Sequence, residues 1–356
     1  MKTAIIGLPM VGKTSLFTIL TGVHQEARIG STAVRAGVTK VPDPRLDALA
    51  RIFQPPKVTH AAIEYLDVPA ISKENLRDPA YVAGLRVVDA FAHVLRVFED
   101  PTVPHEQGSV GAVRDLENVE MELVLSDLVV VEKRLERLDK ERKKIRNPEL
   151  DREADLLVRC KATLESNTPL RQMDLASDDE KRIRGFQFLS RKPMLYVLNL
   201  GEEDAPRLHE KEREFRQAVG EKTGCAVTAV CGKIEAELAE LSAEEAQDYL
   251  SSYGLRESGL ERLIAASYSL LGLMSFLTAG ETEVRAWTIP IASTAVKAAG
   301  AIHSDFEKKF IRAEVVNWKA LVEHEGYPGV REKGLLRLEG KEYIVKDGDV
   351  LVIRHG

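Results

Sequence analysis

The sequence predicts an α/β fold that carries an inserted helical arm and ends in a smaller α+β part. Three observations support this. The apolar Ala4-Ile5-Ile6 runs into Gly7-Leu8-Pro9-Met10-Val11-Gly12-Lys13-Thr14, a G-x-x-x-x-G-K-[ST] loop, and Ser15-Leu16-Phe17-Thr18-Ile19-Leu20 then reads as the first turns of a helix. From residue 115 the apolar period changes to alternating threes and fours. From residue 279 onward short strands and tight turns take over.

The loop is the most informative stretch. Gly7 and Gly12 permit backbone angles that aim several N–H groups at one phosphate chain, at the positive end of a helix. Lys13 then reaches the β- and γ-phosphates, and the Thr14 hydroxyl takes one Mg²⁺ position. Gly7, Pro9, Met10, Val11, Gly12, Lys13, Thr14 and Ser15 are the expected nucleotide contacts. The bland alternative is a glycine-rich turn with a surface lysine.

After this helix, Val23 to Gly37 is polar and rich in small residues, the place of a switch segment. Ser31 and Thr32 are candidate metal ligands there, with an ordinary flexible connection as the alternative. Val38 to Val41 reads as a strand, Leu46 to Phe53 as a helix, and His60 to Val68 as a second strand ending in Asp67. A carboxylate at the end of an apolar strand, one strand after a P-loop, suits Mg²⁺; Asp67 as a helix N-cap is the competing reading. Ala80 to Val88 follows as a helix. Ala90 to Phe98 is strongly apolar, which makes His93 a core or sheet-edge histidine. Glu99 to Gly108, with two prolines, is an exposed loop at a strand end, where open α/β sheets bind ligands.

Met121, Val124, Leu128, Val131, Leu135 and Leu138 form an a/d seam. Asn147-Pro148 breaks the helix, and Leu150, Ala154, Leu157 and Leu164 resume the period. Two long antiparallel helices follow, with a basic stretch from Lys140 to Arg146. Met194 to Leu200 restores the buried-strand pattern, so the arm is an insertion. A helix over 210–222, a strand over Ala226 to Cys231 turning at Gly232, and a helix over 255–273 close the domain. In the last part, 284–289 and 310–316 read as strands, and 334–338 is expected to pair with 342–345 around Glu339-Gly340-Lys341.

Length and composition are consistent with this. A chain of 356 residues holds about two or three domains, and 44% hydrophobic residues suffice for packed cores. A net charge of −6 argues against a globally basic nucleic-acid sheath. Cys160, Cys225 and Cys231 are scattered and fit free thiols in a reducing cytosol. No apolar run approaches about 18 residues, and no basic-then-apolar leader opens the sequence. A soluble, cytoplasmic chain with no membrane partner is expected.

With these pieces placed, the chain resembles the YchF or Obg-like ATPase family. The resemblance lies in Val41-Pro42-Asp43-Pro44-Arg45-Leu46, Asn199-Leu200-Gly201-Glu202, Lys233 to Leu238, Tyr253 to Leu260, Phe276 to Gly280, Glu283 to Ile289 and Ala301 to Glu307. It implies a P-loop NTPase G domain over 1–114 and 192–278, an inserted antiparallel helical hairpin over 115–191, and a ubiquitin-like TGS domain over 279–356. It further implies Mg²⁺ as cofactor and ATP as ligand, with GTP weaker. A ribosome or ribosomal RNA would be the partner, engaged through the arm and the TGS domain, and a monomer is favoured.

The base-reading segment carries its own physical content. Guanine-specific relatives use Asn-Lys-x-Asp, in which the Asp accepts from guanine N1–H and its amino group. Here Leu200 stands in the Lys position and Glu202 in the Asp position. The longer side chain moves the carboxylate out of register, and an unmatched polar edge costs ~1–3 kcal/mol. Asn199 and the Leu200 backbone are then expected to meet adenine, with Cys231 and Gly232 completing the base side. The resemblance places a mobile catalytic histidine on His105, and puts Ile71, which cannot polarise water, where small GTPases carry Gln. Two departures stand out. Ala70 replaces the Asp-x-x-Gly glycine, and Ser31-Thr32-Ala33-Val34-Arg35 replaces Thr-Ile-Glu-Pro-Asn. Nucleotide binding with slow or partner-dependent hydrolysis is expected; a non-hydrolysing binding module and a P-loop kinase are the other readings.

Overall fold

The computed structural model describes residues 1–23 and 34–356. The chain divides into two compact units, Met1–Val38 with Glu64–Leu270, and Thr39–Ile63 with Leu271–Gly356. Among the described residues twelve strands follow one another: β1 (Lys2–Ile6), β2 (Arg35–Lys40), β3 (Val58–Thr59), β4 (Ala62–Asp67), β5 (Ala90–Arg96), β6 (Met194–Asn199), β7 (Cys225–Val230), β8 (Leu273–Ala279), β9 (Val284–Pro290), β10 (Phe310–Asn317), β11 (Arg337–Glu339) and β12 (Asp349–His355). The helices used below are α1 (Lys13–Thr21), α2 (Pro44–Phe53), α3 (Pro79–Arg86), α4 (Ala112–Arg142) and α5 (Pro148–Glu165).

The first unit is built on a six-stranded sheet in the order β2-β4-β1-β5-β6-β7. β1 runs parallel to β4 and β5, and β5, β6 and β7 continue in parallel. A parallel sheet is covered on both faces and needs continuous apolar runs. β5 and β6 satisfy this, being buried at every position. His93 lies in the middle of β5, fully buried, and is a core histidine. Register fixes the functional edge: Ile5 lies opposite Asp67, Ile6 opposite His93, and Arg96 opposite Asn199. The carboxyl ends of these strands therefore open at one rim, where ligands of such sheets bind.

The arm is the pair α4 and α5. Val124, Val131 and Leu138 meet Ala154, Leu157, Cys160 and Leu164 in one core, with Leu128, Leu135 and Leu150 at its margin. Asn147 starts α5 by accepting from Glu149 N–H, with Pro148 at the first helical position. The expected seam fails at Met121, which is 41% exposed. There α4 buries a different face, Leu116, Val119, Glu120 and Leu123. Asp127 on that face accepts from the Leu189 and Ser190 N–H groups at 2.9 and 2.7 Å.

The second unit has a mixed sheet in the order β11-β10-β12-β8-β9-β3. β10 pairs antiparallel with β11 and β12, β8 antiparallel with β9 and parallel with β12. The expected hairpin between 334–338 and 342–345 does not form. Leu338 pairs with Glu314 on β10 instead, and Ile344 makes an isolated bridge with Thr294. The small residues after 292 are explained by the helix Ala295–Ile302, whose Ala295, Ala298 and Ala299 approach Phe276, Ala313 and Val315 closely. Residues 39–63, assigned from sequence to the first domain, pack here. Leu46 and Leu49 of α2 are buried with Val284, Val316 and Val330, and β3 extends the sheet beside β9.

Candidate nucleotide site

The P-loop leaves β1 at Ile6 and enters α1 at Lys13. Gly7 has φ 143°, and a Cβ there would lie 2.6 Å from the Val94 carbonyl oxygen. Gly12 has φ 97°, and its Cβ would lie 2.5 Å from Asn199 Nδ2. Both positions need glycine for conformation and for space together. Pro9 and Met10 are exposed, and Met10 takes a left-handed φ of 60°. Val11 is buried, while Ser15 on the first turn of α1 is exposed. Lys13 is only 9% exposed and donates from Nζ to the Leu8 carbonyl at 2.6 Å. Burial pushes its ammonium down to about 8, against the pull of Asp67 and Glu106.

On the metal side, Thr14 Oγ1 donates to Asp67 Oδ2 at 2.9 Å. Asp67 is buried at the end of β4, and its carboxylate holds Thr14 rather than capping a helix. Ser31 and Thr32 lie outside the described residues. A hydroxyl and a carboxylate side by side are hard oxygen donors, which fit Mg²⁺ when phosphate oxygens complete its shell. Among the described residues no cluster of three or more His, Cys, Asp or Glu side chains offers another site. Sequence reasoning passed over Arg35. Its guanidinium pairs with Asp67 and donates to Thr14 Oγ1 at 3.1 Å, so a cation already lies on the oxygen pair that suits a metal.

The base side gathers at the ends of β6 and β7. Asn199 donates from Nδ2 to the Val11 carbonyl at 3.0 Å and accepts from Gly232 N–H at 3.2 Å. It thereby ties the P-loop to the turn after β7. Leu200 is 2% exposed and donates from its N–H to the Val230 carbonyl. Cys231 is buried against Ala205 and Ile234. Both oxygens of Glu202 are taken up by other side chains. Lys233 donates to its Oε2, and Tyr253 OH donates to its Oε1 at 2.6 Å. Both donors hold its carboxyl below the usual range.

His105 sits in the loop after β5, with its side chain 5% exposed. Gln107 N–H donates to Nδ1 at 3.1 Å, which makes Nε2 the protonated nitrogen facing Asp115 Oδ2 at 2.9 Å. Asp115 is itself held by Arg114. The loop is moulded from beneath by Arg96, a buried guanidinium donating to the Phe98, Asp100 and Pro104 carbonyls and stacked on Phe98. The second switch is likewise pinned. Tyr81 OH donates to the Pro69 carbonyl and Asn75 Nδ2 to that of Ala70, while Ile71 is buried. The sequence offered a signal for Arg96, an arginine inside an otherwise apolar run. It gave no role to Arg35, nor to Lys233 and Tyr253, which open two of the stretches that carry the resemblance but whose partners are remote in the chain.

Comparison with known proteins places this geometry in context. A family model described as YchF-GTPase_C, a protein of unknown function (DUF933), matches residues 273–356. The chain is 40% identical to "Ribosome-binding ATPase YchF" of Pasteurella multocida, over 99% of this chain and 98% of that protein. It is 40% identical to the protein of the same name from Bacillus subtilis, over 99% of each. The structure of the Schizosaccharomyces pombe YchF GTPase superposes with a TM-score of 0.85 at 28% identity, covering 99% of this chain and 97% of that one. With this degree of identity sustained along nearly its whole length, the chain belongs to the YchF family.

Proposed function

We propose that the chain is an ATP-preferring P-loop switch that hydrolyses its nucleotide slowly, associates with ribosomes and works as a cytoplasmic monomer. The observation that carries the reading is the pairing of an unaltered P-loop with a base side that has Leu200 in place of lysine and a Glu202 turned away to Lys233 and Tyr253. The bacterial relatives are named as ribosome-binding ATPases, whereas the fission-yeast protein is called a GTPase. Base preference therefore has to be argued from the site. The described residues contain no helix long and apolar enough to cross a membrane.

In this reading the loop amides and Lys13 grip the phosphates, with Lys13 leaving the Leu8 carbonyl as it does so. Thr14 and Asp67 would hold Mg²⁺, which would supply charge neutralisation to the phosphate oxygens. Ile71 is apolar and buried, so the position that holds Gln in small GTPases supplies no water-orienting group here. His105 has both ring nitrogens engaged, by Gln107 and Asp115. It orients water only after its loop lets it go. A parked histidine accounts for slow basal turnover and for acceleration by a partner that remodels the loop. Single-turnover ATP hydrolysis by wild type and His105→Ala, with and without ribosomes, tests this. The expected result is a slow wild-type rate close to the variant's without ribosomes, and one raised about tenfold or more above the variant's with them. Equal, near-background rates under all conditions would leave a nucleotide-dependent binding module.

A further inference from the structure

We infer that Tyr253 and Lys233 are specificity-determining residues of the nucleotide site, and that they act by holding the Glu202 carboxylate away from the purine. The inference rests on the ATP-preferring reading and supplies its cause. Guanine presents N1–H and an exocyclic amino group, two donors that a carboxylate accepts together. Adenine presents a lone pair at N1 and no donor at C2. An unheld carboxylate on the turn after β6, though one methylene out of register for both donors, would still accept from one of guanine's donors and repel the adenine N1 lone pair.

Glu202 is not unheld. It sits at the start of the short 3₁₀ turn Glu202–Arg207, and each of its oxygens has its own donor. The two donors come from different elements. Lys233 lies on the helix Gly232–Leu238, and Tyr253 directly follows the helix Ala243–Ser252. Tyr253 is fixed in turn: its ring meets Tyr249 edge-on at 5.3 Å and packs against the core of Ala205, Cys231 and Ile234. Tyr249 OH donates to Glu237 on the same helix as Lys233. The clamp is thus a closed polar ring joining the two helices that follow β7. It also gives Glu202 its length, since an aspartate is one methylene shorter and would have to reach the same two donors. The two arms are unequal. Lys233 is 67% exposed at its side chain, and an exposed ion pair is weak. The Tyr253 hydroxyl, on a ring that packing already orients, sets the direction of the carboxylate.

Displacement of a fluorescent nucleotide by ATP and by GTP, with Mg²⁺ present, tests this on wild type, Tyr253→Phe, Glu202→Gln and the double variant. Tyr253→Phe should raise the affinity for GTP relative to ATP by about five- to tenfold, the scale of one charge-assisted hydrogen bond partly exposed to solvent. In the Glu202→Gln background the same change should leave the ratio where it was, because no carboxylate remains to be released. Lys233→Ala, which disturbs no packed ring, should shift the ratio in the same direction and by less. An unchanged ratio in Tyr253→Phe and Lys233→Ala, or an equal shift with and without Glu202, overturns the clamp. If wild type prefers ATP and the variants do not move, the clamp alone falls. If wild type prefers GTP, the ATP reading falls and takes the clamp with it.

Discussion

The phosphate side of the proposed site takes its shape from main chain, with Lys13, Thr14 and Asp67 added to it, whereas the base side is held together mostly by side chains. Gly7 and Gly12 shape the P-loop through left-handed backbone and through space that no Cβ may enter. The base side rests on Glu202, Lys233, Tyr253 and Asn199, joined by hydrogen bonds between residues tens of positions apart. A half built from backbone keeps its shape when neighbouring side chains change. A half built from ionisable side chains can change its preference by single substitutions, and it responds to pH.

The same contrast governs what could be read from the sequence. The P-loop was legible because its eight positions are contiguous and its flanks repeat the strand-then-helix pattern. The arm was legible from Val124 to Leu164 because a seam of threes and fours survives where two helices bury mainly each other. It failed at Met121, where a third surface decides which face is buried. Val58 and Thr59 pair with Val284 and Arg285 more than two hundred positions later, and no local pattern announces that. The hairpin expected around Gly340 lost to β10, which offers β11 an open strand edge. Asp67 stood out in the sequence as a carboxylate at a strand end, but Arg35 beside it did not, because a charge partner thirty-two positions away leaves no period.

Three substitutions would break or sharpen the contrast. Gly12→Ala strikes the main-chain half. A left-handed backbone at a non-glycine residue costs about 1–3 kcal/mol, and the new methyl would push Asn199 off the Val11 carbonyl. Binding of ATP and GTP alike should be lost in equilibrium titration, while far-ultraviolet circular dichroism stays native; binding within a factor of two of wild type would show that the loop tolerates a Cβ.

Glu235→Gln probes a buried ionisable group on the helix that carries Lys233. Glu235 Oε1 accepts from Gly259 N–H at 2.7 Å, and burial pushes its carboxyl up from 4.5 to about 7. The folded chain therefore keeps a proton that the unfolded chain has released, and stability from this group is lost as pH rises from 4.5 through about 7. Wild type should lose up to about 3 kcal/mol relative to the glutamine variant across that window, as read by urea unfolding at pH 5 and pH 8. A difference that does not change with pH would mean that Glu235 is ionised throughout.

Arg35→Ala should have the smallest effect. Removing the guanidinium frees Asp67 and Thr14, so the Mg²⁺ concentration giving half-maximal ATP binding should fall about threefold, the scale of one partly exposed ion pair. A rise instead would assign Arg35 to holding the nucleotide rather than to occupying the metal's place.

The central claim is that a triphosphate is gripped by the N-terminal loop while its base is selected by a leucine and a withdrawn glutamate. Displacement of a fluorescent nucleotide from the wild-type chain by ATP and by GTP, with Mg²⁺ and with Lys13→Ala as control, tests it most directly. The account predicts that ATP displaces at lower concentration than GTP and that the Lys13 variant binds neither. Tighter displacement by GTP, or binding indifferent to Lys13, would contradict it.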